Sequence, residues 1–270
     1  MKKALLTAFL TVVLVACATS PTGRRQLMLV SPDQAISASR TAYLQQMAAF
    51  EKEGLLSTDA ALIKRVQLIT GRLVAQAVKQ FPKTADWEWT VAVIDDPETV
   101  NAWAMAGGRM AIYTGLIKQT QATDDEIAQV MGHEIAHALA NHTAEKMSVA
   151  MASQLGVLAV GIKTEDAGAM AGAALAATLA VNLPFSRTAE TEADRIGIEL
   201  AARAGFHPEA AVTLWRKMAE AGGDGPPQFL STHPAPGNRQ GTLARLAPQM
   251  MPYYEKAKNP PVYPMQPGNY

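Results

Sequence analysis

Two histidines four residues apart, with a glutamate directly after the first, constrain this chain more than any other feature: His133, Glu134 and His137 in the segment HEIAH. On a helix such histidines lie about 40° and about 6 Å apart. Both imidazoles therefore leave one face and can share a zinc ion at about 2.0–2.1 Å. Glu134 projects from the adjacent face, within reach of a zinc-activated water without ligating the metal. There it can take a proton during attack on a peptide carbonyl and return it to the leaving amine. The surrounding residues support this reading. Ile127, Val130, Met131, Ile135, Ala138 and Leu139 form an apolar stripe with Glu134 at its edge, and no other formally charged residue lies between Glu126 and Glu145. A carboxylate in so apolar a helix is costly unless something compensates it, which a nearby zinc ion does. Thr123 and Glu126 supply a capping box at the start of the helix.

A catalytic zinc takes three protein ligands. In the segment ETEAD, Glu190 and Asp194 share one helical face with Ala193, Gly197 and Ala201. Small residues at that spacing allow another helix to approach closely, which predicts Glu190 as the third ligand. Asp194 is then placed to orient a ligating histidine by accepting its second N–H. Glu192 points the other way and reads as a solvated acid; His142 and His207 read as surface residues.

Twenty-four basic side chains balance 24 acidic ones, so no basic face recommends a nucleic-acid partner. Many of the apolar residues are alanine, which favours helices with tight contacts. The N-terminus reads as a targeting segment: Lys2 and Lys3 precede an uncharged run from Ala4 to Val15, too short to span a bilayer comfortably and suited to a signal peptide. The run ends in Leu-Val-Ala-Cys, which resembles the bacterial lipoprotein cleavage box. Cys17, the chain's single cysteine, is the expected lipidation site, against the alternative of an ordinary secretory signal. Ala18, where aspartate would favour retention at the inner membrane, resembles an outer-membrane sorting signal. The expected place of work is the periplasmic face of a bacterial outer membrane, with acyl chains as the anchor.

The expected organisation is a signal peptide at 1–16, a lipidated tether at 17–30, one domain at 31–250 and a proline-rich, extended tail at 251–270. Helices are predicted near 31–53, 58–80, 123–139, 143–162, 187–203, from Pro208, and over 236–246. The alternation of Trp87, Trp89, Val91 and Val93 with more polar residues predicts a half-buried strand, both tryptophans being core. Gly107-Gly108 predicts a turn before a second strand at Arg109 to Tyr113. Residues 167–185 are uncharged and rich in alanine and glycine; they read as a packed or lid-like helix, with membrane insertion as the alternative. The fold class is α+β, mostly α-helical.

HEIAH followed at this distance by SRTAETEAD resembles the zinc peptidase family (gluzincins) that contains HtpX-type quality-control peptidases and CAAX-prenyl endopeptidases, and within it the soluble periplasmic lipoprotein branch. The resemblance runs from about Gly23 to Arg239. It implies a zincin-like domain with a small sheet whose edge strand borders the cleft, one zinc ion per chain, Glu190 as the third ligand and Asp194 as its supporting partner. NAWAMAGGRMAIYTGL resembles the substrate-binding edge strand, falling here on Gly108, Arg109, Met110, Ala111 and Ile112, where an extended substrate would pair through its backbone. THPAPGNR resembles the family's HPxxxxR element. Its His233 is expected either to stabilise the oxyanion or to take the zinc's fourth position, and its Arg239 to hold either a substrate carbonyl or a site carboxylate. The helical repeats of some lipoprotein relatives and the long apolar helices of membrane-embedded ones are not seen in this sequence.

The leading expectation is a zinc-dependent endopeptidase that cuts unfolded or misassembled envelope proteins, in contact with the outer-membrane assembly machinery. The alternative is a zinc-stabilised chaperone or assembly factor whose proteolysis is tightly gated.

Overall fold

The computed structural model describes residues 17–163, 185–221, 227–234 and 238–266, with the side chains of 17 and 155–163 left aside. The expected signal peptide, most of the alanine- and glycine-rich segment 167–185 and most of the loop at 222–227 lie outside the described residues. In chain order the elements are β1 (Cys17–Thr19), β2 (Arg25–Leu27), α1 (Pro32–Lys52), α2 (Ala60–Gln80), a 3-10 turn (Pro82–Asp86), β3 (Thr90–Ile94), β4 (Ala102–Met105) and β5 (Arg109–Tyr113). There follow α3 (Thr114–Gln119), α4 (Asp124–Leu139), α5 (His142–Lys163), α6 (Arg187–Arg203), α7 (Ala210–Glu220), α8 (Gln228–Thr232) and α9 (Arg239–Lys256). The mostly helical α+β class is as expected. Among the described residues no helix is long and apolar enough to cross a membrane.

The chain divides into two compact units, one of Met1–Ala35 with Asn141–Leu183 and one of Ile36–Ala140 with Pro184–Tyr270. In the first, the residues expected to form a tether contain an antiparallel ribbon, β1 against β2, in which Cys17 faces Leu27. Arg24 forks onto both oxygens of Glu145 at 2.7 and 2.6 Å, and Gln26 adds a third bond at 3.0 Å, fixing the ribbon to α5. A bidentate guanidinium–carboxylate pair has the geometry in which such bonds are strongest.

The second unit holds a three-stranded sheet in the order β3-β5-β4, with β5 parallel to β3 and antiparallel to β4. One face carries Val91, Val93, Met110 and Ile112 into the main core with α2 and α4; the other carries Ala92, Ile94, Ala111 and Tyr113 against Tyr43 and Met47 of α1. Covered on both faces, β3 is buried throughout, so the predicted polar-out alternation is not what organises it. Trp89 is fully buried, while Trp87 is partly buried at the core margin.

The predicted edge strand is corrected by the same topology. Arg109, Met110, Ala111 and Ile112 lie in the central strand, hydrogen-bonded on both sides. Gly108 sits in the preceding turn at φ +87°, its carbonyl accepting the Thr90 N–H. The edge is β4. The run expected to be extended beyond Pro248 also differs: α9 continues through Pro248 and Pro252 to Lys256. Each proline removes a backbone donor, but Leu243, Ala247 and Met250 bury that helix's inner face, and packing of an apolar face outweighs propensity. Beyond α9, residues 257–266 have no helix or strand, yet the Tyr263 and Gln266 N–H groups bond the carbonyls of Gly71 and Trp89.

Candidate metal centre

Helix α4 starts as predicted, Thr123 and Glu126 capping each other's backbone, and every residue from Glu126 to Leu139 is buried. Helix α6 crosses it at the point the small residues permit. A Cβ placed on Gly197 would stand 2.8 Å from the His133 backbone nitrogen, and one on Gly132 would stand 3.0 Å from the Gly197 carbonyl oxygen. The first is closer than a Cβ comes to backbone and the second is tighter than nearly all such contacts, so the two glycines set the distance between the helices.

At that crossing His133, His137, Glu190 and His233 offer four ligand atoms within 4.8 Å of one another, all buried. The two Nε2 atoms are 3.0 Å apart, and Glu190 oxygens lie 3.3 Å from His133 and 3.4 Å from His137. Tetrahedral ligands about 2.0–2.1 Å from a shared ion stand about 3.3 Å from each other, so the spacing suits zinc. Charge points the same way. Glu134, Glu190 and Asp194 against Arg239 leave a formal charge of −2 among residues no more than 4 % exposed, which a divalent cation neutralises. Among the described residues the buried Oε2 of Glu190 has only long contacts, His133 Nε2 at 3.3 Å and Arg239 Nη1 at 3.5 Å, which leaves it room to ligate a metal. The donor set therefore fits one zinc ion.

For the side chains by themselves, burial and the Arg239 charge oppose protonation of His133, yet bonds to Asp194 and Glu190 outweigh them and push it up to about 9. Burial instead drives His137 well below its ordinary value. Glu190 is buried, but bonds from the three histidines hold it well below the usual carboxylate range. The carboxylates that keep a proton on His133 would equally favour a cation in its place.

Glu134 stands beside the cluster. Its Oε2 accepts the Ala104 N–H of β4 at 3.1 Å, its Oε1 has no hydrogen-bond partner among the described residues, and burial raises its pKa. Asp194 lies 3.0 Å from His133 Nδ1, where it can hold the tautomer that turns Nε2 toward the metal. Arg239, left between two roles by the sequence, bonds a site carboxylate: Nε and Nη2 reach Asp194 Oδ1 at 3.1 and 2.5 Å. His233 is brought into the cluster, Nδ1 3.1 Å from Glu190 and Nε2 3.5 Å from Glu134.

Other expected site residues fall elsewhere. Arg109 pairs with Glu88 on the sheet face opposite Met110. His142 and Glu192 are buried, not solvated, and His207 is partly buried, its N–H bonding Asp125. Sequence reasoning missed Ala104, whose role belongs to the backbone, and the ring wall of Trp215, Phe229 and Phe185. Phe229 stacks on His233 at 4.5 Å, and Phe185 lies 4.2 Å from the His137 ring. The sequence signal for Phe185 and Phe229 is their place a few residues before ETEAD and HPAPGNR; Trp215 carries no such signal.

The family model described as Peptidase family M48 matches residues 61–247. The chain is 33 % identical over 254 residues to the mitochondrial metalloendopeptidase OMA1 of Bos taurus, covering 89 % of this chain and 48 % of the relative. It is 32 % identical over 228 residues to the Schizosaccharomyces pombe OMA1, covering 84 % and 65 %. It is 30 % identical over 221 residues to the beta-barrel assembly-enhancing protease of Yersinia pestis, covering 78 % and 43 %. It thus spans about half the length of the first of these relatives; the expected family was named by its HtpX and CAAX-prenyl members, nearest its periplasmic lipoprotein branch, and the relatives named here are OMA1 and an assembly-enhancing protease. The match over most of the chain, with His133, His137, Glu190 and His233 inside it, places the chain in peptidase family M48.

Proposed function

We propose that this chain is a zinc-dependent endopeptidase of the bacterial envelope, cutting unfolded or misassembled proteins at the periplasmic face of the outer membrane, where Cys17 anchors it by lipid. The observation that carries the reading is Glu134, buried beside the His133, His137 and Glu190 donors with one carboxylate oxygen that has no hydrogen-bond partner among the described residues. A zinc ion held by those donors supplies Lewis-acid polarisation of a peptide carbonyl and of water. Burial raises the proton affinity of Glu134, which suits a group that takes a proton from water and passes it to the leaving amine. Ala104 fixes the other carboxylate oxygen, so the base is aimed rather than free to rotate. Among the described residues β4 pairs with β5 alone, leaving an edge beside Glu134 on which an extended substrate can add as a strand.

The envelope setting rests on the lipoprotein-like N-terminus and on the likeness to a protein named for β-barrel assembly. A second reading, an assembly factor with gated proteolysis, is favoured by His233, whose ring nitrogens lie among the metal donors and next to Glu134 and can occupy the position a substrate needs. The test is cleavage of an unfolded reporter protein by the chain without residues 1–17, compared with Glu134→Gln at equal zinc content. Cleavage that needs zinc and Glu134 supports the peptidase. Zinc near one equivalent without cleavage, restored by His233→Ala, supports the gated reading. Absence of zinc overturns both.

A further inference from the structure

The ring wall beside the metal donors has a member with two partners. Trp215 lies on the buried stripe of α7 with Ala211, Leu214 and Met218. The Arg239 guanidinium carbon stands 3.3 Å from the Trp215 ring centroid, and the same indole meets His133 edge-on at 5.5 Å and 74°. Arg239, Asp194 and His133 are themselves joined through one oxygen: Asp194 Oδ1 lies 2.5 Å from Arg239 Nη2 and 3.0 Å from His133 Nδ1.

That sharing creates a constraint. For Nε2 to serve as a metal donor, Nδ1 must carry the hydrogen and donate it to Asp194. Arg239 Nη2 stands 3.1 Å from the same Nδ1 and 3.4 Å from Nε2, over the imidazole ring, where its positive charge and the positive end of the Nδ1–H bond repel. Movement of the guanidinium out of its plane would relieve that repulsion at the cost of the Asp194 bond. Trp215 covers the face through which it would move. A guanidinium desolvated against an indole is held electrostatically as well as sterically, and Arg239 is only 4 % exposed.

We propose that Trp215 is a positioning residue for the metal centre: by clamping the face of Arg239 it keeps Asp194 on His133 Nδ1 and so keeps His133 Nε2 turned toward the metal. The inference rests on the zinc reading above. It differs from the role of an ordinary core side chain, which would contribute to stability without setting metal affinity.

The experiment measures zinc affinity of the full chain by competition with a chelating dye, well below the unfolding temperature, for wild type, Trp215→Phe and Trp215→Leu. Loss of support behind a ligating histidine weakens metal binding by about 10–100-fold, the effect expected for Trp215→Leu. Trp215→Phe retains a π face and should recover most of the affinity. The cobalt-substituted chain should show the same division, its visible absorption altered in the leucine variant and close to wild type in the phenylalanine one. Arg239→Gln combined with Trp215→Leu should cost less than the two single effects summed, since both act through one contact. Wild-type affinity in a folded Trp215→Leu chain, or equal losses in both variants, would overturn the proposal alone. Absence of zinc from the wild type would overturn it together with the peptidase reading.

Discussion

The α-carbon of Gly197 faces the backbone nitrogen of His133 so closely that an added Cβ would stand 2.8 Å from it. Helix α6 therefore brings Glu190 to the histidines because one position, about two turns beyond the ligand, carries no side chain. Gly197→Val is predicted to push the helices apart and to cost about 1–3 kcal/mol, as overpacked cores do. The unfolding midpoint should fall, and zinc content of the folded fraction should fall with it. A variant with undiminished zinc would show that the crossing does not set the site.

Asp194→Asn keeps the shape of the side chain but removes the charge shared by His133 and Arg239. Zinc affinity should drop by about 10–100-fold. Competition with a chelating dye measures it; unchanged affinity would leave Asp194 a fold-stabilising partner of Arg239 only.

Glu126 closes the capping box of α4 and also accepts Lys217 at 2.7 Å and Thr213 at 2.7 Å. Burial raises its pKa, but the bonds from Lys217, Thr123 and Thr213 outweigh it and the net shift is downward. A depressed carboxylate stabilises the fold above its unfolded pKa of about 4.3, and that stability is lost as pH falls through the lower folded value. Glu126→Gln should therefore destabilise by about 1–2 kcal/mol near pH 7. Urea midpoints of the two chains should converge once the pH falls well below 4. A gap that stayed constant with pH would assign the effect to packing instead of charge.

The features legible in the sequence are those governed by local periodicity. HEIAH and ETEAD each place their ligands on one helical face within a few residues, and the spacing of Ala193, Gly197 and Ala201 announced a close neighbour. The order of the sheet was not legible. The alternation through residues 87–93 marked a strand but not its neighbours: β3 is buried on both faces, and pairing between β3 and β5 is a non-local choice that no single segment encodes. The edge was consequently assigned to Arg109–Ile112 when it belongs to Ala102–Met105, and the contact of Ala104 with Glu134 involves an amide that every residue but proline possesses. Trp215 and Arg239 meet across more than twenty residues, beyond any periodic pattern. Pro248 and Pro252 misled because burial of Leu243, Ala247 and Met250 overrides the local cost of a proline.

Whether His133, His137 and Glu190 hold one zinc ion is decided by anomalous diffraction from crystals grown with zinc, recorded on either side of the zinc absorption edge. A single strong peak is expected within about 2.0–2.2 Å of both histidine Nε2 atoms and a Glu190 oxygen, lost in Glu190→Ala. No peak there in zinc-loaded crystals, or a peak untouched by Glu190→Ala, would contradict that zinc site.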